Sequence, residues 1–219
     1  MHLGLERYPD QRARWPQAGR HILAQHDDDT VVVYQAYNAE IGHPAARLGA
    51  FGGAFSYDRM SWVKPNFLWM MYRSGWGTKP DQEVTLAVRL RRSFFDEVLA
   101  AAVPSSFDAT RYENQEEWRA ALKTSDVRLQ WDPDHDPTGA KVERRAIQLG
   151  LRGRFLSRYG RDEPLEIVDV SAFVSEQRRN AEPARHNALL TPRETVYLPS
   201  EEGLATHLGL DGLPRGTVG

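Results

Sequence analysis

Apolar and polar residues alternate along this chain in short segments that indicate both strands and helices. Period-two alternation predicts strands over residues 20–25, 30–37, 84–90, 127–131, 144–151 and 165–170. Helical periodicity predicts helices over residues 65–74, 92–102, 110–122, 153–159 and 171–180, with a short helix after Asn38. The two kinds of element do not alternate regularly enough for a doubly wound sheet. We therefore expect an α+β fold, with a compact, mixed but mainly antiparallel sheet and flanking helices.

The same pattern divides the chain into three parts. Residues 1–19 are polar and contain two prolines, which predicts an irregular lead-in. Residues 20–198 carry all the periodic segments and are expected to form a single α+β domain. An acidic turn at residues 26–29 favours a hairpin between the first two predicted strands. Residues 199–219 have few periodic signals and are expected to form a weakly ordered tail.

The stretch from Asp58 to Gly77 stands out from the rest of the chain. It holds three of the six Trp and three of the four Met, interleaved with cationic side chains. Pro65 suits a first helical turn, and Gly75 and Gly77 are expected to end the helix. Two interpretations remain open for this stretch: a core helix whose cations make structural ion pairs, or a ligand cleft lined by Trp, Arg and Lys.

If the stretch lines a cleft, its aromatic and cationic side chains are the candidate cofactor-binding residues. They are Arg59, Trp62, Lys64, Trp69, Tyr72, Arg73 and Trp76.

Two amides stand inside otherwise apolar strands. Gln35 lies near the end of the strand 30–37, and Gln148 lies within the strand 144–151. Buried amides need hydrogen-bonding partners, so Gln35 is either a satisfied core group or a ligand contact. Gln35, its strand neighbour Tyr37 and Gln148 are the candidate catalytic residues.

Composition excludes several kinds of site. With no cysteine, the chain has no disulfide, no thiolate metal ligand and no cysteine nucleophile. A formal charge of -2 provides no global attraction for a polyanion, so any such partner must meet a local basic patch. The segment Asp132–Pro137 contains three Asp and one His, but its two prolines favour a turn, and no metal site is predicted. Neither standard nucleotide-binding loop occurs.

The N-terminus lacks an apolar leader, and no segment approaches the roughly 18 apolar residues of a membrane span. We expect a cytoplasmic protein with no membrane contact.

Five segments carry a family resemblance. They are RWPQAGRHILAQ (14–25), TVVVYQAY (30–37), DRMSWVKPNFLWMMYRSGWG (58–77), VRLQWDP (127–133) and RRAIQLGL (144–151). In this combination the chain resembles the family known as domain of unknown function 4291 over about residues 14–198. The resemblance implies a compact cytoplasmic domain without a settled activity.

A second resemblance concerns only the order of elements, which is similar to that of the compact ADP-ribosyltransferase fold. It implies a groove that clamps NAD, with Gln35 or Tyr37 on the nicotinamide side. Tyr72 or a central Trp would stack on the nicotinamide, and Gln148 would take the late-strand position that orients the ribose. Arg59, Lys64 or Arg73 would hold the pyrophosphate. Gln148 cannot act as a general base, so the acceptor would have to be activated elsewhere.

Two hypotheses about function follow. The first is a domain for a nucleotide-like ligand that transfers ADP-ribose from NAD to an acceptor, either a nucleic acid or a protein. The alternative is a non-catalytic module that binds nucleotides or a short single-stranded nucleic acid by stacking on aromatic side chains. A hydrolase has little support, because the histidines are scattered and no nucleophile elbow occurs.

Overall fold

The computed structural model describes residues 3–201 and 203–212 of the chain. Within these residues the strands are β1 (Leu5–Arg7), β2 (Gly19–Arg20), β3 (Ile22–Ala24), β4 (Thr30–Tyr37), β5 (Ser61–Val63), β6 (Val84–Arg91), β7 (Ala102–Pro104), β8 (Val127–His135), β9 (Lys141–Leu151), β10 (Pro164–Asp169), β11 (Leu190–Pro192) and β12 (Thr195–Tyr197).

The helices of the same residues are α1 (Tyr8–Arg12), α2 (Ala39–Leu48), α3 (Phe67–Ser74), α4 (Arg92–Ala100), α5 (Gln115–Thr124), α6 (Gly153–Arg161), α7 (Ser171–Arg178) and α8 (Leu204–Leu208), with a 3-10 helix over Pro183–Ala188. None of the helices in the described part of the chain is long and apolar enough to cross a membrane.

Two larger sheets form the centre of the molecule. The first has the antiparallel order β10, β6, β4. In the second, β9 pairs antiparallel with β8, and its other edge is shared by β2 and β5. Strand β7 extends this sheet by parallel pairing with β8. Together with the outer helices, these mixed but mainly antiparallel sheets confirm the predicted α+β class.

Strand β4 lies between two apolar clusters, as its alternation predicts. Val31 and Val33 point into the larger cluster, whereas Val32 and Tyr34 point into the smaller one. Helix α3 packs in the smaller cluster through Phe67 and its neighbours on the helix. The helix is therefore buried on most sides.

Lys64 joins the two large sheets. Strand β5 pairs with β9 as far as Val63, and the next residue bonds with β4 instead. The Tyr34 amide donates to the Lys64 carbonyl at 2.7 Å, and the Lys64 amide donates to the Tyr34 carbonyl at 3.2 Å. The segment 61–64 thus pairs with a strand of each sheet, and side chains of both sheets line a cleft beside it.

Several elements differ from the sequence-based predictions. Helix α2 begins after the predicted cap Asn38 but continues past Gly42 and Pro44 to Leu48. Gly42 packs closely against β6, since a Cβ at this position would lie only 2.5 Å from Val84. The turn expected at residues 132–137 lies further along the chain: β8 continues to His135, with a register shift after Pro133. Strand β3 has β12 as its main partner, and the predicted hairpin with β4 is confined to the residues after β3, where His26 bridges Val31 and the Val32 amide donates to the Gln25 carbonyl at 2.9 Å.

The two ends of the described chain are also more regular than expected. The lead-in predicted to be irregular contains β1, which pairs with β11, and α1, which buries Tyr8. In the tail predicted to be weakly ordered, α8 buries Leu204 and Leu208 in the larger cluster. Of that tail, residue 202 and residues 213–219 lie outside the described residues.

Candidate ligand cleft

The cleft beside Lys64 has a volume of about 520 Å³. This volume lies within the range of small-molecule sites. Strands β4, β5, β8 and β9, helix α3 and the segments before β5 and β6 supply its walls. The lining residues are Gln35, Ala36, Tyr37, Arg59, Met60, Ser61, Trp62, Lys64, Met70, Arg73, Gln82, Gln130 and Gln148. We call this space the cleft.

Ser61 sits at the centre of a hydrogen-bonded set on one wall of the cleft. Its Oγ accepts from Gln35 Nε2 at 2.8 Å. It also forms a 2.6 Å hydrogen bond with the Tyr37 hydroxyl, in which either group can be the donor. A serine and a tyrosine hydroxyl bonded to each other use only one of their two protons. The other proton is therefore available to a ligand.

The amide of Gln35 is fully used by the protein. Its Nε2 donates to Ser61 Oγ and to the Trp62 carbonyl, and its Oε1 accepts from the Tyr159 hydroxyl at 2.8 Å. These hydrogen bonds fit the interpretation of Gln35 as a satisfied group, although its side chain also lines the cleft. Gln35 holds Ser61 in position on the cleft wall.

The opposite wall carries two glutamines held by one carboxylate. Gln148 Nε2 donates to Asp132 Oδ2 at 2.7 Å, and Gln130 Nε2 donates to Asp132 Oδ1 at 2.8 Å. Gln130 and Gln148 face each other in the β8–β9 register. Since one amide proton and the Oε1 atom of Gln148 have no partner among the described residues, both remain free for a ligand.

Lys64 is a buried cation at the junction of the sheets, with a residue exposure of 4%. No carboxylate of residues 3–201 or 203–212 lies within ion-pairing distance of its ammonium group. Burial, together with the nearby charge of Arg73, lowers the pKa of Lys64 to about 8, and Asp132 opposes this shift. At pH 7 the group remains mainly protonated, so the cleft holds a poorly solvated positive charge.

Arg73 and Arg59 add two exposed guanidinium groups to the cleft. Arg73 lies on α3, three residues after Met70, so both side chains project from one face of the helix towards the cleft. Asn66 Oδ1 caps this helix by accepting from the Trp69 amide, and Gly75 ends it at a φ of 59°. The cap and the glycine stop set the length of the helix that presents Arg73.

Met60 and Trp62 form the apolar part of the cleft and pack over Gly150 on β9. A Cβ at Gly150 would lie 2.6 Å from Met60 Sδ and 3.0 Å from Trp62 Cζ2. A second space of about 390 Å³ adjoins the cleft and shares Tyr37, Arg59, Met60 and Ser61 with it.

Three predicted binding residues lie away from the cleft. Trp69 and Tyr72 stack on each other and on His135, with ring centroids 5.2 Å and 3.5 Å from the histidine ring. Trp76 donates from Nε1 to the Pro137 carbonyl at 3.1 Å and packs its ring edge against Phe67. The structure thus brings together Gln35, Tyr37, Arg59, Trp62, Lys64, Arg73 and Gln148, but not these three aromatic side chains.

Sequence reasoning missed Ser61, Gln130 and Asp132. The sequence carries no specific signal for Ser61, because no strand was predicted at this position. Gln130, like Gln148, is an amide inside an apolar strand and carried the same signal. Asp132 was assigned to a turn, but it lies in β8 and orients both glutamines.

The acidic segment around Asp132 is used by internal contacts. Asp134 makes a buried ion pair with Arg144 at 2.6 Å, and Asp136 accepts from the Thr138 amide in the following turn. Among the residues that the structure describes, no group of three or more histidine and acidic side chains could hold a metal ion.

A family model described as Domain of unknown function (DUF4291) matches residues 21–197. The chain belongs to this family. The match covers most of the chain and includes every residue that lines the cleft, whereas β1, α1, β2 and α8 lie outside the matched residues. No curated protein matches the sequence of this DUF4291 chain.

Proposed function

We propose that this DUF4291 domain binds NAD in the cleft and transfers its ADP-ribosyl group to an acceptor, a nucleic acid or a protein. The observation that carries the proposal is the convergence of a buried cation, a paired hydroxyl set and a free amide in one cleft. Lys64, Ser61 and Gln148 reach this space from the junction and from both walls.

The charge of the cleft suits a pyrophosphate. Lys64, Arg59 and Arg73 line it, no carboxylate is among its described lining residues, and Asp132 behind Gln130 and Gln148 is engaged by these two glutamines. A poorly solvated ammonium group gains more from an anion than one in bulk water does. The exposed guanidinium groups add bidentate contacts to phosphate oxygens.

The rest of the cleft suits a nucleoside. Trp62 offers an indole for stacking on a planar ring, and the Ser61–Tyr37 pair offers one hydroxyl proton. Gln148 Oε1 accepts from a ribose hydroxyl, and its free amide proton serves a second ribose oxygen. These contacts fix the ribose between the two walls.

The reaction is a substitution at the anomeric carbon of the ribose. The bond to nicotinamide breaks, the pyridinium nitrogen takes the electron pair, and the acceptor forms the new bond while its proton passes to solvent. The domain contributes by positioning the reactants and by placing polar groups around the cationic carbon. Gln148 takes no proton in this step, so the acceptor arrives with a nucleophile of its own.

Binding of a single-stranded nucleic acid without catalysis is the alternative. Such binding relies on several aromatic side chains along a groove. Only Trp62 of the three Trp in the central stretch lines the cleft, which favours a single nucleotide over a strand.

Nicotinamide release tests the proposal. The chain is incubated with NAD alone, with single-stranded DNA, with RNA and with a protein mixture, and nicotinamide is quantified by chromatography. We expect nicotinamide release with at least one acceptor class, and a rate of release about 100-fold lower in Gln148→Ala. Gln115→Ala, which changes an exposed glutamine on α5, is the matched control and should retain the wild-type rate.

NAD binding without release under any condition would overturn the transferase and support the binding module. Absence of NAD binding would overturn the proposed ligand.

A further inference from the structure

A second pocket of about 440 Å³ lies on the other face of the β8–β9 pair. Leu129, Trp131 and Arg145 line it, and side chains at these positions alternate along the strands with that of Gln148, which faces the cleft; Gln130 lies between Leu129 and Trp131 and lines both spaces. The loop after β7 and Leu208 of α8 complete its wall. The pocket shares Gln130 with the cleft but none of the other described lining residues, and none of the groups assigned to the proposed transfer lines it.

Three arginines converge on this pocket. Arg20 and Arg145 are exposed, whereas the side chain of Arg111 has an exposure of 14%. The one carboxylate in the lining, Asp108, accepts from the Thr110 amide and hydroxyl and stays 3.9 Å from Arg111 Nε. The pocket therefore has an excess of positive charge.

Two buried polar atoms of the lining residues lack a hydrogen-bonding partner among the described residues, although Arg111 Nε makes a long ion pair with Asp108. Arg111 Nη1 and Ser105 Oγ are buried without a hydrogen bond in the described part of the chain. The Arg111 guanidinium group as a whole donates to no described residue, although it carries five N–H donors. Arg20 also acts on it as a like charge. Buried donors of this kind are normally satisfied, so an acceptor that enters the pocket would complete the site.

We propose that this pocket binds a phosphomonoester joined to a planar ring, as in a nucleoside monophosphate. The guanidinium groups of Arg111, Arg145 and Arg20 bind the phosphate oxygens, which match the planar fork of an arginine. Trp131 and Phe107 are half-buried in the lining and pack against the ring. Ser105 Oγ bonds a hydroxyl group of the sugar.

Calorimetric titration of the whole chain with AMP, inorganic phosphate and adenosine tests this site. We expect AMP to bind, phosphate to bind more weakly and adenosine not to bind. Arg111→Gln and Arg145→Gln should each weaken AMP binding about tenfold or more, because each removes a charge-assisted contact. Arg119→Gln, an exposed arginine on α5 outside the pocket, should leave the affinity unchanged.

The variant Lys64→Met separates this site from the cleft, and it should retain AMP binding. Thermal unfolding of each variant checks the fold, and the exposed Arg145 gives a readout even if Arg111→Gln unfolds. The proposal is overturned if AMP fails to bind at millimolar concentration, or if adenosine binds equally well. It is also overturned if Arg145→Gln leaves AMP binding intact or if Lys64→Met abolishes it.

Discussion

Lys64 is the residue on which the charge of the cleft depends. It is almost fully buried, it has no ion-pairing carboxylate among the described residues, and its pKa is lowered to about 8. A buried cation without a partner destabilises a folded chain, and such groups are found where function needs them. In the proposed function, Lys64 exchanges stability for the ability to hold an anion.

Replacement of Lys64 by methionine should stabilise the chain. A pKa lowered from 10.5 to about 8 means that the folded state binds the proton less tightly than the unfolded state. We expect Lys64→Met to raise the free energy of unfolding at pH 7 by about 1–3 kcal/mol. Urea denaturation measures the change.

The stability gained by Lys64→Met over the wild type should fall as the pH rises from about 8 towards 10.5. Over this range the wild-type lysine becomes neutral in the folded state, so its burial costs less free energy. Lys79→Met, at an exposed lysine, is the control. A lower stability of Lys64→Met at pH 7 would contradict the buried, unpaired charge.

Individual site residues could be predicted where one side chain breaks a pattern. Gln35 and Gln148 interrupt apolar strands, and Lys64 interrupts an aromatic segment, so all three were found from the sequence. Ser61 could not be ranked in the same way, since a serine is compatible with a strand end, a turn or a helix start. Its role depends on Gln35 and Tyr37, which the fold brings to it.

Helix α3 owes its position to a residue from a distant part of the chain. Both carboxylate oxygens of Glu194 are used at the start of this helix: Oε1 accepts from the Phe67 amide at 2.6 Å, and Oε2 accepts from Asn66 Nδ2 at 2.9 Å. Glu194 has an exposure of only 2%. The orientation of Arg73 in the cleft therefore depends on this buried contact.

We expect Glu194→Ala to lower the free energy of unfolding by about 2–4 kcal/mol, because it leaves two buried donors without an acceptor. Chemical denaturation tests this, with the exposed Glu176→Ala on α7 as the control. Equal stabilities of the two variants would show that Glu194 does not hold the helix.

Gly150 controls the apolar part of the cleft. Since a Cβ at this position would meet Met60 Sδ and Trp62 Cζ2, a larger side chain must displace both towards the open space. We expect Gly150→Val to weaken binding of NAD at least about tenfold, by the strain of overpacking. Fluorescence titration measures the affinity.

Gly49→Val is a poor control, because Gly49 has a φ of 69°. Gly52→Val is better, because Gly52 has no close neighbour and is not among the residues with a positive φ. Wild-type NAD affinity in Gly150→Val would contradict the packing of Met60 and Trp62 over β9.

Elements with a clear period were predicted closely, and those with mixed signals were not. Strand β4 has the predicted limits, and α3 starts two residues later than predicted. Helix α2 begins after the predicted cap Asn38 but is longer than predicted, and the contact of Gly42 with Val84 of β6 is one that local propensity cannot show. At β8 the prolines suggested a turn, but pairing with β9 outweighs that local preference.

At the scale of the whole molecule, the two ends of the chain complete the fold. Strand β1 pairs with β11, and α8 contributes Leu204 and Leu208 to the same cluster as β4 and β6. Trp131 Nε1 donates to the Leu208 carbonyl at 3.2 Å. The C-terminal helix is thus part of the core that supports the second sheet.

Leu208→Ala should lower the free energy of unfolding by about 2–4 kcal/mol, because it opens a cavity beside Trp131. Chemical denaturation gives the value, and Leu198→Ala, at an exposed leucine, is the control. A loss no larger than that of Leu198→Ala would mean that α8 does not belong to the core.

Long-range pairing is the part of the fold that the sequence could not supply. β1 and α8 are only three and five residues long, too short to show a clear period, and their partners lie at the opposite end or in the middle of the chain. The cleft arises in the same way, since β4, β5, β8 and β9 meet only after both sheets have formed. A periodic pattern defines elements but does not specify which of them meet.

Titration of the intrinsic tryptophan fluorescence with NAD and ADP-ribose tests the central claim most directly, because Trp62 lines the cleft. We predict a saturable change that Trp62→Phe largely removes. Lys64→Met and Arg73→Ala should each weaken the affinity about tenfold or more, since each removes a cation that faces the pyrophosphate. The exposed Arg178→Ala on α7 should leave the affinity unchanged. No saturable change, or an affinity that is the same in all these variants, would contradict a nucleotide site in the cleft.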